Sequence, residues 1–257
     1  MLRSRITTCL LLKDRGLYKT TKFGNPKYVG DPINAVKIFN DKKADELIFL
    51  DIDSTVQKKE PDYDLISIIA SKCRMPICYG GGIKSISQIR RIIGLGVEKV
   101  SISSAFFDRP ELLLQASEEF GNQSIVLTLD IKKYGFINKK YRVFSLNGKK
   151  MQRFDFENIL PNLRAYGIGE LFINCIDREG TLLGYDFELV EYLSQLVDVP
   201  ISVNGGASSY SDLNKLIKRF HPIGAAAGSI FVFKGKYKAV LIQYPDLAEK
   251  SQICNLD

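Results

Sequence analysis

The chain has one histidine, His221, placed just before Pro222 in a loop-like stretch. With its only imidazole in such a stretch, the chain is not expected to hold a Ser-His-Asp triad, and one imidazole cannot make a histidine metal cluster, so no metal and no cofactor is expected. The cysteines Cys9, Cys73, Cys78, Cys175 and Cys254 are odd in number and contain no CxxC pair. That pattern excludes a disulfide framework or a zinc ribbon and reads as thiols of a reducing cytoplasm. Long apolar runs are also missing. The first run, behind Arg3 and Arg5, stops at Lys13-Asp14, too short for a signal peptide or a membrane span. No stretch is depleted of apolar residues or repetitive. With 45% hydrophobic and 25% charged residues, a folded, enzyme-sized body is expected.

The net charge of +7 is carried by lysine and arginine pairs such as Lys42-Lys43, Lys132-Lys133, Lys139-Lys140 and Lys149-Lys150. Without the aromatic interleaving of a single-strand binder, these read as solvated helix faces and loops, and no nucleic-acid or membrane partner is expected.

What is present is rhythm. Eight short β-rich runs (RITTCLLL, ELIFLDI, MPICYG, KVSIS, SIVLTLD, ELFINCI, VPISVNG, IGAAAG) alternate with amphipathic segments such as DPINAVKIFNDKKA and SYSDLNKLIKRF. Asp31-Pro32 and Asp108-Arg109-Pro110 mark helix starts, and Gly94, Gly96 and Gly167 mark ends. Alternation of this kind at this length predicts a closed (β/α)8 TIM barrel in one domain. The chain also echoes itself. GGGI at Gly80–Ile83 returns as NGGA at Asn204–Ala207, LDIDST as NCIDREGT, and VSISSAFF as AAAGSIFV, each at an offset of about 124 residues. Two half-barrels, about 1–122 and 123–257, account for the echo. After strand five, Lys132–Lys150 breaks the rhythm with two β-like runs and Asn147-Gly148, an inserted hairpin on the active-site face.

Glycine at a strand's carboxyl end lets an anion approach backbone amides, and short hydroxyl side chains add donors. Gly82 with Ser103 and Ser104 in the first half, and Gly206 with Gly228 and Ser229 in the second, therefore predict a ligand with a phosphate at each end. The second-half site is the firmer expectation, since loops after strands seven and eight commonly bind phosphate in such barrels. Strand parity puts Arg5, Thr7, Cys9 and Leu11 on one face of strand one, and Val126, Thr128 and Asp130 on one face of strand five. Asp130 thereby faces the axis at the carboxyl rim as a general acid or base; the bland alternative is a helix cap or a salt-bridge partner. At the opposite rim Arg5, Glu46, Lys99 and Glu170 point inward, able to close a ring over the barrel floor as a structural plug or a gate.

These residues resemble the cyclase subunit of imidazole glycerol phosphate synthase, the HisF family. RITTCL, KYVGDPINA, DELIFLDI, YGGGI, EKVSISSA, IDREGT, GYD and NGGA stand in family order over nearly the whole chain. The resemblance implies a barrel that takes ammonia from a HisH-like glutaminase docked on its floor, as a heterodimer, and uses it at the other rim to cleave and cyclise a ribulose-bearing nucleotide with two phosphates. It implies that Asp130 is one of two catalytic aspartates. Arg5, Glu46, Lys99 and Glu170 would then be the ammonia gate, Lys19 a lysine of the mobile loop after strand one, and Asp51 and Asp177 acidic active-site positions. Ser103 and Ser104 replace an Asn-Thr phosphate pair. The departure is Leu11, which stands where the family has its other catalytic aspartate. Asp14 has the wrong parity to substitute, and Asp53 is a new carboxylate where threonine is common. A paralogous branch with an LLLK-type motif, working with a glutaminase and a sugar amidotransferase on acetamidino-type surface sugars, fits this departure. The alternatives are an authentic cyclase of histidine synthesis that tolerates Leu11, and a non-catalytic phospholigand-binding activator of a glutaminase.

Overall fold

The computed structural model describes residues 3–136 and 139–254; Ile137 and Asn138 of the inserted hairpin lie outside the described residues. Eight parallel strands form the barrel: β1 (Arg5–Lys13), β2 (Glu46–Asp51), β3 (Ile77–Gly80), β4 (Lys99–Ile102), β5 (Ile125–Tyr134), β6 (Glu170–Cys175), β7 (Ile201–Asn204) and β8 (Gly224–Ala227). Each pairs with the next, and β8 pairs back onto β1 with Thr7 opposite Ala226, which closes the ring. The helices follow in alternation: α1 (Pro32–Asp41), α2 (Tyr63–Lys72), α3 (Ile86–Gly94), α4 (Glu111–Phe120), α5 (Phe156–Ile159), α6 (Phe187–Ser194), α7 (Tyr210–Phe220) and α8 (Leu247–Cys254). This is a (β/α)8 barrel. Among the described residues, no helix is long and apolar enough to cross a membrane.

Local chemistry sets the helix starts. Asp31, Asp62 and Asp186 each accept a backbone N–H three residues on, at 2.8, 3.0 and 3.1 Å, and so satisfy donors that the first turn leaves free. The segment FENILPNLRAYG is less regular than its periodicity suggests. Pro161 follows the four residues of α5 and the chain continues as a 3-10 turn, Leu160–Asn162.

Alternation along the strands creates two cores. Outward residues such as Ile6, Leu10, Leu47, Phe49, Val100, Leu127, Leu129, Leu171 and Ile173 pack under the helices in one large cluster. Inside the barrel lies a separate small group of Cys9, Leu11, Ile48, Cys78, Val126, Phe172 and Ala226, with Leu50 and Ile52 against it. The lumen is therefore apolar at mid-height and charged at the floor.

Two hairpins rise from the carboxyl rim. The one after β5 pairs Lys140–Ser145 antiparallel with the end of β5, Asp130 opposite Phe144. The other follows β1: Gly16–Thr21 returns along it, Leu11 opposite Tyr18, and pairs in turn with Gly24–Gly30. No Asn-Gly or Asp-Gly pair marks this one. Its two-residue turn places Asp14 and Arg15 at φ of 46° and 62°, a conformation usually left to glycine or asparagine.

Candidate active site

At the floor, the four charged residues meet in a closed ring. Arg5 Nε donates to Glu46 Oε2 at 2.7 Å and its Nη2 to Glu170 Oε1, while Lys99 Nζ donates to Glu46 Oε1 at 2.6 Å and to Glu170 Oε2 at 2.9 Å. Thr7 Oγ1 adds a bond to Glu46 at 2.9 Å and Ser202 Oγ one to Glu170 at 2.6 Å. Burial works against the Glu46 carboxylate, but the charges of Arg5 and Lys99 outweigh it and hold its pKa below the ordinary carboxylate value. Burial likewise opposes the charges of Arg5 and Lys99, yet Glu170 and Glu46 keep both pKa values above their ordinary ones.

Above the floor, Ser101 Oγ and Thr128 Oγ1 share a buried hydrogen bond at 2.6 Å, the polar step between the ring and the rim. Ser101 and Thr128 also line a cavity of about 430 Å³ that opens at the carboxyl rim. Asp130 faces it. Asn174 Nδ2 donates to Asp130 Oδ1 at 3.1 Å, and Asn204 Nδ2 fixes Asn174 from behind at 2.6 Å. Burial pushes the Asp130 carboxyl up to about 7, with the Asn174 bond only partly opposing it. A carboxyl poised there both gives and takes protons near neutrality.

Leu11 lines the same cavity, 7% exposed, with Leu50 beside it in register on β2. Together with Ile52, Ile83 and Ile102 it makes one wall apolar, facing the polar wall of Thr128, Asp130, Asn174 and Asn204.

The first-half residues expected to meet a phosphate open into this cavity. Gly81 and Gly82 have φ of 124° and 71°; a Cβ on Gly81 would run into the Asp51 carbonyl. Ser103 Oγ is buried and has no hydrogen-bond partner among the described residues, and Ser104 Oγ accepts from Leu146 N at 3.5 Å. Lys58, Lys59 and Lys84 bring three cations to the same wall, none singled out from the sequence. The second-half residues Gly206, Gly228 and Ser229 line a different, much smaller pocket, of about 10 Å³. Its space is taken by Lys19, a buried residue whose Nζ lies where a side chain on Gly228 would be. Glycine at 228 is thus what admits the ammonium. The larger opening lies at Gly82, Ser103 and Ser104, not at Gly206, Gly228 and Ser229.

Two acidic positions are engaged in holding loops. Asp51 lines the cavity, but its Oδ1 accepts from the amides of Asp53 and Ser54 at 3.0 and 2.9 Å and its Oδ2 from Ser54 Oγ at 2.6 Å. Asp177 is not among the cavity-lining residues; its Oδ2 accepts from Lys133 N at 2.8 Å and ties the turn after β6 to the hairpin after β5. Asp53 pairs with Lys13 at 2.6 Å.

The carboxylate that sequence reading missed is Glu179. It lines both pockets. Its Oε2 accepts from Thr20 Oγ1 at 3.0 Å and Phe23 N at 3.4 Å, and its carbonyl from Lys22 N at 2.9 Å, so it latches the hairpin after β1. Its Oε1 is buried and unpartnered among the described residues. Replacing Glu179 with alanine is expected to lower stability by about 1–3 kcal/mol and to speed tryptic cleavage at Lys22, while Glu179→Gln, which keeps an acceptor oxygen, stays near wild type. Equal cleavage of all three proteins would remove the latch. Among the described residues no group of three or more His, Cys, Asp or Glu is placed to hold a metal ion.

The family model described as histidine biosynthesis protein matches residues 5–238. The chain belongs to that family, on its HisF branch. HisF relatives span its full length. A protein of Vibrio vulnificus, provisionally named imidazole glycerol phosphate synthase subunit hisF3, is 52% identical over 256 residues, 100% of this chain and 98% of the relative. A provisionally named subunit hisF2 of Pseudomonas aeruginosa is 50% identical over 248 residues, 96% of this chain and 98% of the relative. The imidazole glycerol phosphate synthase subunit HisF of Streptococcus sanguinis is 33% identical over 231 residues, 90% of this chain and 91% of the relative.

Proposed function

We propose that this HisF-family chain is a synthase subunit that receives ammonia from a HisH-like glutaminase on the barrel floor and passes it up the lumen for use at the rim. The end product under this reading is an amidinated surface-polysaccharide sugar, made with a sugar amidotransferase, and not an imidazole. The observation that carries it is the contrast between the two rims. The charge ring at Arg5, Glu46, Lys99 and Glu170 is complete, whereas the catalytic rim has Leu11 seated in an apolar wall where cyclisation calls for a second acid. A leucine there can neither give nor take a proton. The apolar mid-lumen suits a neutral small molecule such as ammonia, which loses little on leaving water compared with ammonium. Lys19, Gly82, Ser103, Ser104, Gly206, Gly228 and Ser229 serve a phosphorylated ligand, with Asp51 and Asp177 shaping the loops around it.

A second reading, the cyclase-lyase of histidine synthesis, is favoured by Asp130, still buried and near neutrality at the cavity. One assay separates the two. The purified chain is given free ammonium and the bis-phosphorylated ribulose-bearing nucleotide. No cyclase turnover is expected from wild type, and partial turnover from Leu11→Asp; an ordinary cyclase rate from wild type would overturn the proposal. Leu11→Asp is also expected to lower stability at neutral pH by about 2–4 kcal/mol, because it buries a carboxylate among apolar side chains.

A further inference from the structure

The positive charge is not scattered as the lysine pairs suggest. Residues 132–154 hold Lys132, Lys133, Lys139, Lys140, Arg142, Lys149, Lys150 and Arg153 and no acidic residue. Against a chain total of +7, that one stretch carries +8 and the remainder of the protein −1. In the fold its described residues, 132–136 and 139–154, comprise the hairpin after β5, the short strand Lys150–Met151 paired with it, and the segment that follows.

The hairpin concentrates this charge at a price in local stability. Cross-strand register sets Lys132 directly opposite Arg142, a like-charge pair on one face of the sheet, with Tyr134 opposite Lys140 next to it and Asp130 opposite Phe144 at its base. Lys132 lies over the Phe144 ring at 4.3 Å, and Lys133 is neutralised by Glu188 at 2.6 Å. Lys139, Lys140, Arg142, Lys149, Lys150 and Arg153 form no ion pair among the described residues. Beside them stand exposed apolar side chains: Phe136 is fully exposed, and Tyr134 and Met151 are about half exposed. Behind the hairpin runs a groove of about 1010 Å³ floored by Tyr141, Phe154, Phe156 and Tyr192 and edged by Lys139, Lys140, Arg142 and Arg153. At the hairpin's other end, Asn147 Nδ2 donates to the Ile52 carbonyl, and Leu146 and Asn147 line the cavity that holds Asp130. One continuous element therefore joins the cationic, aromatic surface to the candidate active site.

From this we infer that the hairpin after β5, over residues 132–136 and 139–154, is the docking surface for an acidic protein, the one that takes up ammonia at the catalytic rim. The inference rests on the ammonia-delivery reading for the partner's role; the surface itself rests on charge and shape. Like charges left opposed and unneutralised are a local conflict that an oppositely charged partner relieves. Exposed aromatic, methionine and arginine side chains are the anchors that protein interfaces use. A bilayer or a nucleic-acid backbone would call for a broad basic face, and outside this hairpin the chain is slightly negative. A protein seated here would also close the rim, which keeps ammonia from solvent, where it would be protonated.

The test measures binding of a labelled random glutamate-tyrosine copolymer to the full chain, in parallel with oligo(dT) and phosphatidylserine vesicles. Saturable copolymer binding is expected, weakened about tenfold or more in the triple variant K139E/K140E/R142E, with a shallower salt dependence. Phe136→Ser is expected to weaken binding with the salt dependence unchanged. Thermal melting of each variant checks the fold, and the milder K139Q/K140Q/R142Q should show an intermediate loss. Unchanged affinity in the charge variants would overturn the proposal, as would tighter binding of vesicles or oligo(dT) than of copolymer. The floor is untouched by these variants, so glutamine hydrolysis by a bound glutaminase should persist. If wild type proves an ordinary cyclase while the copolymer data hold, the acidic-partner surface stands and its role as ammonia acceptor falls.

Discussion

Replacing Lys99 with alanine is expected to lower stability at neutral pH by about 1–3 kcal/mol and to separate glutamine hydrolysis from amidated product. Lys99 is the one cation that bonds both glutamates beside Arg5, and its removal leaves two carboxylates facing a single guanidinium. The energetic figure sits below that for fully enclosed ion pairs because the Lys99 side chain is 22% exposed. The pH dependence has a definite sign. Glu46 has a folded pKa below its ordinary value, so its contribution is present above the unfolded carboxylate pKa and disappears as pH falls through the folded one. Wild type and Lys99→Ala should therefore differ most near neutrality and converge in acid, as thermal melts across pH would show. In complex with the glutaminase, the open ring should let hydrolysis continue while product falls. Hydrolysis and product falling in proportion would take the gating role away from the ring.

The ring, the barrel and Asp130 were legible in the sequence for one reason: side chains alternate across a strand. Once RITTCLLL and SIVLTLD are taken as barrel strands, a period of two fixes which face Arg5, Leu11 and Asp130 share. The helix cap at Asp31 was equally local. What stayed hidden depends on contacts between segments far apart in the chain. Glu179 lies in a turn, where no periodicity assigns a direction, and its role is set by the hairpin after β1 descending onto it. Gly180 is bare because Thr20 passes where its side chain would be. That hairpin was itself unreadable, since its turn forces Asp14 and Arg15 into left-handed backbone without a glycine at either position. Asp177 was placed near the site by homology of position alone. Its carboxylate turns away to the Lys133 amide, a direction set by the inserted hairpin. The hairpin's charge was visible as pairs in the text, yet its significance needed the register that opposes Lys132 to Arg142.

Asp130→Asn carries the other large expectation, because it moves activity and stability in opposite directions. In the complete amidating complex, removing a general acid or base at the cavity is expected to lower formation of amidated product about 10²–10⁴-fold and to abolish its wild-type pH limb near neutrality. Stability follows from linkage. The Asp130 carboxyl is raised to about 7 in the folded protein by burial, so its favourable contribution is full below the unfolded carboxylate pKa and is lost as pH rises through the folded value. Over that interval wild type should lose up to about 4 kcal/mol, an upper bound because water penetration softens the burial. Asparagine keeps the shape and accepts the same bond from Asn174 without ever ionising. Melting temperatures of the two proteins should nearly coincide at about pH 4, with the variant clearly ahead at about pH 8. A variant that loses stability with rising pH as steeply as wild type would place the titrating group elsewhere. A stable but inactive variant would mean that the site keeps a buried carboxylate, at a cost in stability, for the sake of proton transfer.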